Sequence, residues 1–400
     1  NFFDDLKLRV SAGQTGGQGV SAYATRSRFV VSNYGMGGSL QSGMAESRWG
    51  GPAAALLKWE TTNQFDIGLD IAFLNNRVNL TVDAYYKKTK DLLLDKLIPM
   101  SSGFSRIQAN YGNVTNKGLE ISGHFIPVKA RNFLWSIDAN ISFNRNKVGG
   151  LDADQYSDVA WGIENMFLVR NGEPIGTLYG YVEDGFYDNE AEVRADPLYR
   201  NETDSKVKSM VGEVKYKNLD DDPVIDNRDR QIIGNTNPDY QYGITNTLEW
   251  KNWTFSFFLQ GTQGNDVLNV NLKKFDMASV DNMPYFIYNN RWTAENRANA
   301  KWPRANRTST RSMKASDRYI EDGSYLRCKN VSLSYRFRHP MKFVESINLV
   351  ASVSNLFTIS GYSWMDPDVN SFGSDPKRRG VDMASYPSAR TFNFGVQIGF

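Results

Sequence analysis

Residues Trp59–Phe73 read WETTNQFDIGLDIAF, and their alternation decides the fold. Odd positions carry Trp59, Thr61, Asn63, Phe65, Ile67, Leu69, Ile71 and Phe73. Even positions carry Glu60, Thr62, Gln64, Asp66, Gly68, Asp70 and Ala72. Successive side chains of a strand point to opposite faces. One face is therefore apolar and the other bears carboxylates and amides. After the tight Asn75-Asn76 turn the pattern resumes. Val78, Leu80, Val82, Ala84 and Tyr86 share one face, and Asn79, Thr81, Asp83, Tyr85 and Lys87 the other.

Working outward, the same period gives Leu119, Ile121, Gly123 and Phe125 against Glu120, Ser122 and His124. It gives Phe133, Trp135, Ile137, Ala139, Ile141 and Phe143 against Ser136, Asp138, Asn140, Ser142 and Asn144. Further apolar rows start at Trp253, Val331, Ile347 and Phe392, and weaker strands are predicted at Leu6–Ala12 and Tyr240–Trp250. The total is ten predicted strands. Their connections alternate. Short turns fall at Asn75-Asn76, near Val128–Arg131, at Lys251-Asn252 and near His339–Lys342. Long loops are expected over about residues 14–57, 149–236, 264–323 and 358–388. A soluble sandwich has no reason to sort its loops by side. An outer-membrane β-barrel does, with short periplasmic turns and long extracellular loops. The expected fold is thus all-β, a transmembrane antiparallel barrel whose short turns and C-terminus, Phe400, lie in the periplasm.

Composition agrees. The 20 Tyr, 23 Phe and 9 Trp of the 400 residues suit aromatic girdles, and Trp59, Tyr86, Trp135, Trp250, Trp253 and Phe400 lie at or near strand ends. No apolar run reaches the roughly 18–20 residues of a membrane helix, whereas a barrel strand needs only about 9–11. A net charge of +2 gives no basis for a nucleic-acid partner. A single cysteine, Cys328, leaves no intrachain disulfide and reads as a small packing residue. Asn1 follows no basic-then-apolar leader, as expected of a mature or truncated product.

Several short stretches resemble the SusC/RagA family of TonB-dependent transporters of Bacteroidota. They are Lys58-Trp59-Glu60-Thr61-Thr62, Asn113-Val114-Thr115-Asn116-Lys117-Gly118-Leu119-Glu120 and Gly234-Asn235-Thr236-Asn237-Pro238 before Tyr242-Gly243. Arg291-Trp292-Thr293, Asp322-Gly323-Ser324-Tyr325-Leu326-Arg327, Asn355-Leu356-Phe357 and the end from Tyr386-Pro387-Ser388 to Phe400 add to them. The resemblance implies a 22-stranded barrel, of which these ten strands are the C-terminal portion. It implies an N-terminal plug absent from this chain, and energy drawn from TonB–ExbB–ExbD through that missing part. It also implies a SusD-like surface lipoprotein as partner and an oligosaccharide or peptide as cargo. Phe400 resembles the terminal aromatic read by the outer-membrane assembly machinery. A scaffold subunit of a secretion or assembly complex, a siderophore-type receptor and a soluble carbohydrate-binding sandwich are the alternatives.

Candidate sites follow. In Asn218-Leu219-Asp220-Asp221-Asp222-Pro223-Val224-Ile225-Asp226-Asn227-Arg228-Asp229, oxygens at Asn218, Asp220, Asp222, Asp226 and Asp229 match the spacing of an EF-hand-type loop, which points to calcium. Pro223 stands where such loops use glycine, and an acidic turn-rich loop is the plainer reading. Loop aromatics Trp161, Tyr179, Tyr181, Tyr285, Tyr288, Trp292, Tyr362 and Trp364 could stack on cargo or pack on one another. Inward carboxylates Asp66, Asp70, Asp83, Glu120 and Asp138 suit a wet lumen. His124 has no serine-nucleophile or HExxH company, so no enzyme is expected. Gly35–Gly38 lacks the strand and helix context of a dinucleotide site.

Overall fold

A computed structural model describes the chain except for residues 1, 18, 20–24, 27–28, 47–51, 53, 55, 105, 160–162, 221, 276–281, 307–313 and 342. Ten strands form one antiparallel sheet whose spatial order follows the chain. They are β1 (Phe3–Gly17), β2 (Glu60–Phe73), β3 (Val78–Lys90), β4 (Asn113–Ala130) and β5 (Phe133–Gly149). β6 (Tyr240–Trp250), β7 (Trp253–Gln263), β8 (Tyr325–Met341), β9 (Val344–Ser360) and β10 (Thr391–Gly399) complete it. All ten expected strands are present. Several are longer than the alternation predicts, because the hydrogen-bond ladder outruns the apolar stripe. β4 has 18 residues, well beyond the roughly 9–11 that cross a bilayer. The long connections therefore lie at 18–59, 150–239, 264–324 and 361–390, with a fifth at 91–112.

Register fixes which side chains share a face, because residues directly opposite point the same way. One row runs Leu8, Leu69, Val82, Ile121, Ile141, Tyr242 across β1 to β6. Phe125, Ile137, Asn246, Phe257, Val331, Val353 and Phe392 carry a second row on to β10. Leu8, Phe394 and Val396 on this face are 65%, 84% and 67% exposed, an apolar band that lipid would cover. Asn246 is the polar member of the second row, and the Trp135 indole N–H donates to its Oδ1 at 3.2 Å. That bond gives a partner to an amide oxygen that would otherwise face hydrocarbon. Trp250 and Trp253 are direct cross-strand partners at the β6–β7 turn, the depth at which a girdle is expected.

The opposite face is wet. Arg9, Gly68, Asp83, Glu120, Ser142, Gln241, Thr262 and Tyr325 lie in one cross-strand row. Arg9 bridges Asp70 through Nε at 2.8 Å and Asp83 through Nη2 at 2.9 Å. Gly68 makes the bridge possible, since a Cβ there would sit 2.1 Å from Asp83 Oδ1 and 2.7 Å from Arg9 Nη2. His124 Nδ1 is 2.7 Å from Asp138 Oδ1, the satisfied polar pair expected of a structural histidine. Cys328 is buried within β8.

The short turns all lie at one end of the sheet. In the β2–β3 turn Leu74, Asn75 and Asn76 take positive φ. Asparagine tolerates that region because its side chain can bond locally. The Asp4 carboxylate accepts from the Asn76 N–H at 2.9 Å and ties the turn to β1.

Candidate functional site

At the other end, the long connections pack into a cap with its own dry core. Short strands Gln155–Val159, Ile163–Val169, Thr177–Gly180 and Gln231–Asn235 form a four-stranded sheet. Ile163, Met166, Phe167 and Leu178 from it bury against Leu268, Val270, Tyr319 and Val381. Connections 150–239, 264–324 and 361–390 thus share a single core. A fully buried side chain of this kind contributes roughly 1.5–3 kcal/mol. The cap leans over the lumen. Val114 of β4 and Val148 of β5 lie on the wet face by register, and both pack against Leu151 and Val169. Helices α1 (Glu190–Ala195) and α2 (Asp204–Met210) enclose a satellite core of Tyr187, Val193, Val207 and Met210. Asn189 and Thr203 cap their first turns.

Buried ion pairs pin the cap. Arg327 falls opposite Gln260 on the inner row of β8 and is 2% exposed. Its guanidinium binds Asp366 of connection 361–390, Thr358 Oγ1 at 3.0 Å and Ser388 Oγ at 3.2 Å. Burial alone would raise the Asp366 carboxyl. The N–H groups of Ser388 and Asp368, with Arg327, hold it below the ordinary aspartate range instead. Arg318 makes a two-pronged pair with Glu183, both bonds 2.6 Å, joining connection 264–324 to 150–239. Burial pushes the Glu183 carboxyl upward against the pull of Arg318. Tyr362 donates to buried Asp382 at 2.7 Å, and burial followed by that carboxylate drives its phenol upward. In the sequence Arg327 stands out only within a family-like motif and Tyr362 only as a loop aromatic, and nothing marks Arg318, Glu183, Asp366 or Asp382, because a lone charged residue carries no periodic pattern.

The predicted site residues are dispersed. Tyr179 packs beside Tyr156 at 5.7 Å, with the Arg230 guanidinium 4.8 Å from its ring centroid. Tyr181 lies 5.6 Å from the same guanidinium. Trp292 is buried, its indole N–H donating to Asp188 at 3.3 Å. Trp364 lies against Phe275 at 5.9 Å. Tyr285 opens α3 (Tyr285–Asn290) and is 78% exposed. Trp161 lies outside the described residues.

The acidic turn Asn218–Asp229 converges on a cation of its own. Arg228 reaches Asp220 at 3.2 Å, Asp226 at 3.0 Å, and Asp222. Hydrogen bonding to Arg228 holds the Asp226 carboxyl down. Asp229 accepts from the Leu219 and Asp226 N–H groups, both at 2.8 Å. Asn218 Oδ1 is buried and lacks a partner, so one oxygen of the calcium set stays uncommitted. Among the described residues no group of three or more acidic, histidine or cysteine side chains is arranged to hold a metal ion.

A barrel with a wet inner wall and a cap folded over its mouth invites comparison with known proteins. The model of the family described as TonB dependent receptor-like, beta-barrel matches residues 1–356. The chain belongs to that family. TonB-dependent receptor P26 of Formosa agariphila is 34% identical over 408 residues, covering 100% of this chain and 40% of the relative. TonB-dependent receptor SusC of Bacteroides thetaiotaomicron is 29% identical over 414 residues, covering 100% and 38%. The RagAB peptide transporter superposes with a TM-score of 0.78 at 20% identity, covering 100% of this chain and 41% of that one, which shows the shared fold. This TonB-dependent receptor barrel spans about two-fifths of the curated relatives' length. The SusC-type resemblance read from the short motifs is borne out, and the family places the barrel in the outer membrane.

Proposed function

We propose that the chain is the C-terminal barrel portion of a SusC-like importer that moves an oligosaccharide or a peptide across the outer membrane. The cap sits outside, where a SusD-like surface lipoprotein meets it. The short turns and Phe400 face the periplasm, and Phe400 serves the assembly machinery. TonB–ExbB–ExbD drives the cycle through the N-terminal plug. The protein moves its cargo without chemistry on it.

One observation carries this reading: a single packed cap, built from three connections and pinned to the inner wall by Arg327, overhangs a polar lumen. A bare scaffold has no need of a wet wall and a mouth cover together. The test is a deletion strain complemented with the full-length gene. Growth on a glycan or peptide source that requires both this gene and TonB is expected, with a surface lipoprotein co-purifying. Growth indifferent to TonB, with secretion or assembly components co-purifying, would refute import and favour the scaffold reading.

A further inference from the structure

A cavity of about 440 Å³ opens where three connections meet. Its walls are the cap's edge strand Gln155–Val159, the hairpin of Leu93–Leu97 with Arg106–Asn110, and the turn Pro376–Arg378. This size falls within the usual range for ligand sites. Among the described residues the lining holds no aliphatic residue, and its aromatic surface is the ring of Tyr156. Tyr156 is 42% exposed, while Tyr179 backs it at 5.7 Å, so the ring is held in place without being covered.

The charges balance. Arg106 pairs with Asp95 at 3.3 Å and Arg378 with Asp375 at 2.8 Å. Among the described residues Asp158 and Lys377 have no ion-pair partner, which leaves one free charge of each sign. Asp158 accepts the Asn165 N–H at 2.7 Å and keeps acceptor capacity toward the cavity.

We propose that this cavity is a subsite for one or two units of a neutral oligosaccharide. Sugar hydroxyls both donate and accept, so they match carboxylates, amides and ammonium groups side by side. The C–H face of a pyranose ring fits an exposed tyrosine. A polyanionic glycan would find no net positive field, since Arg106, Lys377 and Arg378 only balance the three aspartates. A peptide would find no aliphatic socket for its side chains among the described lining residues. The proposal rests on the import reading and deepens it.

The test uses the full-length transporter with its co-purifying partner on an array of α- and β-linked neutral oligosaccharides, acidic oligosaccharides and mixed peptides. At least one neutral glycan is expected to bind. Tyr156→Ala and Asp158→Asn should each weaken it at least tenfold, with an unchanged thermal midpoint, and Tyr156→Phe should retain binding. Binding of only acidic glycans or peptides, or neutral binding indifferent to these substitutions, overturns the subsite. So does an array on which no neutral glycan binds. TonB-dependent growth on peptides alone would keep the import reading and remove this one. Tyr156-dependent glycan binding without TonB-dependent uptake would do the reverse.

Discussion

Replacing Arg327 with methionine probes the cap's attachment. The side chain is 2% exposed and its main partner, Asp366, is 5% exposed. Breaking a buried pair by removing one partner costs about 3–5 kcal/mol, because a charge is left buried and unpaired. Here Asp366 keeps two backbone donors, Asp368 N–H at 2.9 Å and Ser388 N–H at 3.0 Å. The low end, about 3 kcal/mol, is therefore expected, which is roughly a hundredfold in a local opening equilibrium. Hydrogen exchange in the full-length protein reads this directly, since the Ser388 and Asp368 amides donate to the affected carboxylate. Their exchange should accelerate about a hundredfold while amides of β2 and β3 keep their rates. The double variant Arg327→Met, Asp366→Asn removes both charges, keeps a side-chain oxygen to accept from the Asp368 and Ser388 amides, and should recover most of the protection, since no charge is then left buried and unpaired. An acceleration under fivefold in the single variant, or a double variant as labile as the single, would refute Arg327 as the pin.

Three other expectations can be checked alongside. The Asp366 carboxyl is depressed in the folded cap, so its contribution is fully present above the ordinary aspartate value of about 4 and fades only as pH falls through the lower folded value; Ser388 protection should hold from pH 7 to pH 4 and decline below that, and a decline starting near pH 6 would contradict it. Gly68→Ala places a methyl group 2.1 Å from Asp83 Oδ1, so a structure of the variant should show Arg9 on Asp70 alone; Arg9 still bridging both carboxylates would count against the close-approach argument. Arg228→Ala frees Asp220, Asp222 and Asp226, and calorimetry should find calcium at least tenfold tighter in the variant than in the parent; equal affinities would show that Arg228 does not hold the cation position.

The barrel was legible because its signal is periodic. Alternation at Trp59–Phe73 and Val78–Tyr86 survives any tertiary context, since one face must be apolar and the other wet. Even the weak strand Leu6–Ala12 was recoverable from its alternation, with which the parity of the loops agrees. The cap was not legible, because its order comes from contacts between connections far apart in sequence. Leu178, Leu268 and Val381 share one core, yet each sits in a stretch rich in glycine, aspartate and asparagine that reads as irregular. Spacing likewise found the carboxylates of Asn218–Asp229 but gave no hint that Arg228 folds back among them. Aromatic identity could not separate the buried Trp292 from the exposed Tyr285, since burial follows from partners that the local sequence does not display.

The shared core of the cap bears on how such a protein could change what it recognises. If each connection were an independent loop, a new specificity could be acquired one loop at a time. Here residues from three connections complete one another's packing, so a transplanted single connection would arrive with its apolar face uncovered. The unit of exchange between relatives is then the whole cap on its barrel. Fine adjustment is left to half-exposed rim positions such as Tyr156.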